Sequence, residues 1–138
     1  MLSLTIADVK GFMGKLLKSD CFDTFELHSL SIHSFAIFEV NKFHVEHEAS
    51  PMWVDVRPFA FEVVKGGKQP RFIKVVLGSP DGETARFMNI TFEEGKVTIT
   101  NGLSQKGFTL DKSAHHTWDD EILQFLASKK IEYTNELL

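Results

Sequence analysis

Apolar and polar residues alternate at the start of the chain: Leu2, Leu4 and Ile6 are separated by Ser3 and Thr5, which predicts a short strand. From Asp8 the period lengthens. Val9, Phe12, Met13, Leu16 and Leu17 recur at three- and four-residue intervals, the spacing of a helix with one buried stripe, and Asp8 stands where an N-cap is needed. The opposite face of that helix carries Lys10, Lys15 and Lys18, and Gly11 and Gly14 are its weak points. Phe25 to Val40 is rich in β-branched and aromatic residues in near-alternation. Its apolar phase slips near Ser29 and again near Ser34, so two adjacent strands with a bulge or turn at each slip are predicted. Asn41-Lys42 then offers a tight turn into Phe43 and Val45.

Ser50-Pro51 marks a second helix, with Ser as N-cap and Pro at the first helical position. Trp53, Val56, Phe59, Ala60, Val63 and Val64 form its stripe. Pro58 lies inside and has no backbone N–H to give, which predicts a kink or two short helices. Gly66-Gly67 and Pro70 end it. An antiparallel meander follows. Phe72–Leu77, Ala85–Phe92 and Lys96–Thr100 are strands, joined by turns at Ser79-Pro80-Asp81-Gly82 and Glu94-Gly95, and Gly107–Leu110 is a further one. Asp111 or Ser113 caps a last helix with the stripe Ala114, Trp118, Ile122, Phe125 and Leu126. Lys129-Lys130 closes it against the dipole, and the tail from Glu132 is expected to fray.

The pattern therefore predicts one α+β domain spanning residues 1–138: a mostly antiparallel sheet with two helices inserted between strands, and an additional C-terminal helix over 111–130. Composition agrees with a foldable chain. Of 138 residues, 43% are hydrophobic and 25% charged, enough for a core without staples and too apolar for a disordered chain. Phe is over-used, 13 against 2 Trp and 1 Tyr. Phe12, Phe38, Phe92 and Phe125 fall on apolar stripes, so the surplus reads as a core of rings without polar handles rather than a base-stacking platform. Cys21 is alone, so no intrachain disulfide and no cysteine zinc site can form. No stretch approaches the ~20 apolar residues of a membrane span. A cytoplasmic protein without a membrane partner is expected.

Candidate chemistry is sparse, and neither a catalytic residue nor a cofactor is assigned. His44-Val45-Glu46-His47-Glu48 is the segment most like a metal site, with His44, His47 and Glu48 as its ligands. Further ligands by residue type alone are His28, His33, His115 and His116. The competing reading is a polar hairpin exit before a helix. His115 with Asp119 and His116 with Asp120 have the spacing of ordinary helix-surface pairs. Gly66-Gly67-Lys68 lacks the Lys-Ser or Lys-Thr pair of a phosphate loop.

Charge distribution says more. The net charge is −4, yet residues 7–18 carry three lysines against one aspartate, a net +2. Residues 51–71 carry Arg57, Lys65, Lys68 and Arg71 against Asp55 and Glu62, again +2, so the rest of the chain sums to −8. The first two helical regions are basic on an acidic molecule.

The order strand, helix, paired strands, helix and meander over residues 1–110, together with those basic helices, resembles one domain of the DNA sliding clamps. That resemblance implies that the two helices face nucleic acid and hold phosphates without reading bases. The matching positions are Lys10, Lys15, Lys18, Arg57, Lys65 and Lys68. The chain departs from the pattern in holding one such domain, whereas a ring needs several, and in the helix from Lys112 to Lys129, which could cap the inner face or an edge. The runs Val56-Arg57-Pro58, Lys65-Gly66-Gly67-Lys68-Gln69-Pro70 and Phe108-Thr109-Leu110-Asp111-Lys112-Ser113, with Trp118-Asp119, resemble an uncharacterised family of short proteins from Gram-positive anaerobic bacteria. That resemblance implies no activity. The expectation is a non-catalytic binding or assembly domain. Its partner is DNA or RNA backbone, another protein through a sheet edge, or a second copy; the alternative is a metal-dependent enzyme or binder using His44 and His47.

Overall fold

Asp8 sets the first helix: its carboxylate accepts from the Gly11 backbone N–H at 3.0 Å, satisfying one of the orphan donors of the first turn. The computed structural model describes residues 2–41, 51–65, 69–79, 86–103 and 113–135. Within them the order is β1 (Ser3–Ile6), α1 (Val9–Leu17), β2 (Glu26–His33), β3 (Ile37–Asn41), α2 (Trp53–Lys65), β4 (Phe72–Gly78), β5 (Arg86–Glu93), β6 (Lys96–Leu103), α3 (Ser113–Ser128) and β7 (Tyr133–Asn135).

The strands form a single sheet in the order β3-β2-β4-β5-β6-β1-β7, antiparallel at every junction. The fold class is α+β. Alternation along each strand separates two faces. Leu4, Ile99, Ile90 and Val75 lie in one cross-strand row and are buried with side chains of all three helices in one core. The neighbouring row runs Thr134, Thr5, Thr98, Thr91, Lys74, Ser31 and Glu39 across all seven strands, and none of these is buried. The sheet thus has one face under helices and one polar face toward solvent, the usual arrangement for an antiparallel sheet.

The predicted phase slip near Ser29 is a register irregularity between Leu27 and Ser29 in the β2–β4 pairing, and the slip near Ser34 is the turn into β3. The turn at Glu94-Gly95 places both residues at positive φ, 52° and 77°, which suits a two-residue hairpin loop and explains the glycine at its second position. Asn41 is the last residue of β3, and Lys42 of the predicted turn, the strand at Gly107–Leu110 and the glycine stop at Gly66-Gly67 fall outside the described residues.

Four expectations change. Pro58 does not divide the second helix, which runs unbroken from Trp53 to Lys65. The carbonyl that Pro58 leaves without a donor is that of Val54, four residues back. Both residues lie on the exposed side of the helix, where solvent can take the place of the missing bond. The helix begins at Trp53, so Pro51 precedes it: the Pro51 carbonyl accepts from Leu27, and the Trp53 amide donates to Phe25, which sews the start of α2 to β2. Its stripe is also narrower than predicted. Trp53 and Ala60 are buried, whereas Phe59, one residue and about 100° round the helix from Ala60, is 72% exposed. Finally, residues 133–135, expected to fray, pair with β1 as β7.

Most of the Phe surplus is core. Phe12, Phe22, Phe25 and Phe92 are buried, and Phe125 of α3 meets Phe22 and Phe25 edge-on at centroid distances of 5.2 and 4.9 Å. Phe59 and Phe35 are the exceptions among the described residues; Phe35, at 87% exposure, rests its edge on Phe38 beside the turn into β3.

Candidate functional site

The six basic positions expected on a nucleic-acid-facing surface do not act together. Lys15 reaches out of α1 to the end of α3, where its Nζ donates to the carbonyls of Lys129 at 2.8 Å and Lys130 at 3.0 Å. Those carbonyls follow directly on the end of α3, so Lys15 adds a cation from a different element to the C-terminal end of that helix, beside Lys129 and Lys130. Replacing Lys15 with Met, which keeps the stem and removes the charge, is expected to destabilise the fold by about 1 kcal/mol in urea unfolding.

Arg57 is likewise engaged within the molecule. Its Nε and Nη2 donate to the two carboxylate oxygens of Asp23 at 2.8 and 2.9 Å, a two-pronged pair joining α2 to the segment after α1. The hydrogen bonds to Asp23 raise the Arg57 pKa further above its ordinary value. Burial opposes this, and the charges of Asp23 and Asp20 add to it. The guanidinium is therefore a permanent cation and no pH switch. Lys68 lies outside the described residues.

Lys10, Lys18 and Lys65 remain, and they share one feature. They line a cleft of about 690 Å³ between α1 and α2. Its walls and floor are Val9, Met13 and Leu17 from α1, Phe61 from α2, and Ile73 and Phe92 from the sheet. The amphipathic stripes of the two helices do not close fully on each other, and the sheet beneath supplies apolar carbon to the gap. The ammonium groups of Lys18 and Lys65 lie 5.7 and 5.6 Å from the centre of the same Phe61 ring, within the range of cation–π attraction. Lys65 also meets Glu62 at 3.3 Å, across a surface pair that is more than half exposed and worth little. Among the described residues, Lys10 and Lys18 have no carboxylate partner and no carboxylate lines the cleft. At the middle of α1, a side chain added at Gly14 would meet nothing within 4 Å, so the cleft is open directly above that backbone.

The lysines are legible along the chain, and the cleft is not. The stripe of α2 omitted Phe61, and Gly14 read only as a weak point of the helix. Neither residue signals a cavity until α1 and α2 are set side by side.

Two histidines, His28 and His33, have described side chains. His33 Nε2 lies 3.0 Å from the Ser31 hydroxyl, its ring against Phe72, and His28 meets Phe87 edge-on. His44, His47 and Glu48 fall outside the described residues, as do the side chains of His115 and His116. Among the described residues no three of His, Cys, Asp and Glu are grouped so as to hold a metal ion. Three polar contacts at or near the core serve the fold. Asn101 accepts from the Leu2 amide at 2.7 Å and donates to Asp119 of α3, and the Trp118 indole donates to the Phe87 carbonyl at 2.9 Å.

What fold and cleft define together is a domain of one helix-covered antiparallel sheet with a lysine-rimmed apolar groove. The family model for a family of unknown function (DUF5721) matches residues 15–88 and 79–134, and the chain belongs to that family. No curated protein and no solved structure matches it. Among the described residues no helix is long and apolar enough to cross a membrane.

Proposed function

We propose that the chain is a non-catalytic, cytoplasmic binding domain that holds an anionic ligand in the cleft between α1 and α2. One observation carries this reading: among the described residues three lysines and no carboxylate line a mostly apolar cleft, on a molecule of net charge −4. An apolar recess with a few convergent polar groups is the common form of a small-ligand site, and 690 Å³ lies within the usual size range.

The test uses an apolar sulfonate, 8-anilinonaphthalene-1-sulfonate, whose fluorescence rises on burial. Saturable binding of one probe per folded chain is expected, weakened about tenfold when Lys18 and Lys65 are both changed to Gln. Absence of binding to the native protein overturns the reading.

A clamp-like contact of the basic helices with nucleic-acid backbone would draw on the same three lysines. The engagement of Lys15 and Arg57 within the molecule favours the compact ligand. Duplex DNA titrated between about 50 and about 200 mM salt separates the two: three phosphate contacts give a log–log slope of about −3, and the cleft reading expects no saturable binding.

A further inference from the structure

Resting on the cleft reading above, we infer that the ligand is an unbranched aliphatic carboxylate, held with its head at the Lys18–Lys65 end and its chain along α1 over Gly14. Three features of the cleft specify this chemistry. Its cations are unevenly placed. Lys18 and Lys65 converge on the single ring of Phe61, whereas Lys10 stands eight residues before Lys18, about 12 Å away at 1.5 Å per residue. A negative charge is therefore best satisfied at one end only.

The path between the ends is apolar. Val9, Met13 and Leu17 follow one another along α1 at four-residue spacing and present aliphatic and thioether surface, with Ile73 and Phe92 beneath. Such a run offers dispersion contact to a chain of methylenes and almost no hydrogen bonds, so sugars, nucleobases and peptides would have to leave polar groups unpaired there. Gln69 is the uncharged polar side chain on the lining. Gly14 supplies the third feature. Any larger residue there would stand in the open space of the cleft, and the helix itself would prefer one, because glycine costs about 1 kcal/mol relative to alanine in a helix interior. The channel over α1 exists at the expense of helix stability.

The same glycine gives the decisive experiment. Displacement of the bound sulfonate probe is measured with octanoate, decanoate and dodecanoate below their micelle concentrations, and with decyltrimethylammonium as the oppositely charged control. Affinity is expected to rise about fourfold per added methylene, with no displacement by the cationic control. Gly14→Leu is expected to melt at or above the native temperature yet lose decanoate binding by at least tenfold, because its side chain occupies the path of the ligand. Lys18→Gln with Lys65→Gln should weaken decanoate while leaving the gain per methylene unchanged.

If the probe binds and no carboxylate displaces it, the carboxylate assignment is overturned and the cleft reading stands. If neither binds, the cleft reading itself has failed. Equal displacement by the cationic control overturns the assignment of the head to the lysines, and full decanoate binding by a folded Gly14→Leu variant overturns the path over α1.

Discussion

Replacing Trp53 with alanine is expected to destabilise the protein by about 3–5 kcal/mol, a large part of the roughly 5–15 kcal/mol that a domain of this kind has in total. Trp53 is fully buried, the largest such side chain in the core, and its indole N–H donates to the Leu16 carbonyl at 3.0 Å. That carbonyl belongs to the last turn of α1, which has no helical donor left for it. One residue thus fills the space between α2 and the sheet and completes the end of α1. Trp53→Phe separates the two contributions. It keeps most of the ring volume and should cost about 1–3 kcal/mol, chiefly for the carbonyl left unpaired. Urea unfolding followed by fluorescence of the remaining tryptophan, Trp118, measures both variants. A loss below 1 kcal/mol for the alanine variant would mean that the site collapses around the gap and that α1 and α2 are not tied through Trp53.

The second large effect is expected at Trp118. It is 3% exposed and its indole donates to the Phe87 carbonyl, so it pins α3 to β5, while Asp119 beside it meets Asn101 of β6. Trp118→Ala should again cost about 3–5 kcal/mol, but with a different distribution. Backbone amides of α3 are expected to exchange with solvent much faster than in the native protein, and those of β4 and β5 to stay protected until global unfolding, because α3 rests on a few side-chain anchors and the sheet on continuous ladders. Uniform acceleration through sheet and helix would show instead that α3 and the sheet open together.

These two residues illustrate how much of the molecule could be read along the chain. Trp118 falls on the apolar stripe of a helix whose period is plain, and Trp53 opens another, so both were legible as core. So were the Asp8 cap, the hairpin at Glu94-Gly95 and the slip at Ser29, each of which is set by residues within a few positions of itself. What could not be read is what α1 and α3 do to each other. The bond from Lys15 to the carbonyls of Lys129 and Lys130 spans more than a hundred residues, and a lysine on the polar side of a helix carries no sign of such an engagement. Arg57 is the same case, since its pairing with Asp23 depends on how α2 crosses the end of α1. The candidate site was legible only as an excess of basic residues. Its apolar half draws on Ile73 and Phe92, which lie in two predicted strands, and on Phe61, which the predicted stripe of α2 leaves out.

The pairing of β1 governs when the protein can fold as it is made. Ser3 lies opposite Thr100 and Leu4 opposite Asn135, so β1, which precedes the other described strands along the chain, is an interior strand of the finished sheet. At about 5–20 residues per second, its first partner leaves the ribosome roughly 5–20 s after it does. Leu4 and Ile6 spend that interval without the ladder that buries them, while β2, β3, β4 and β5 can already pair as each emerges. A ribosome-associated chaperone therefore has its longest window on residues 3–17, and slowing translation after Asn101 should prolong exposure of that segment more than any other.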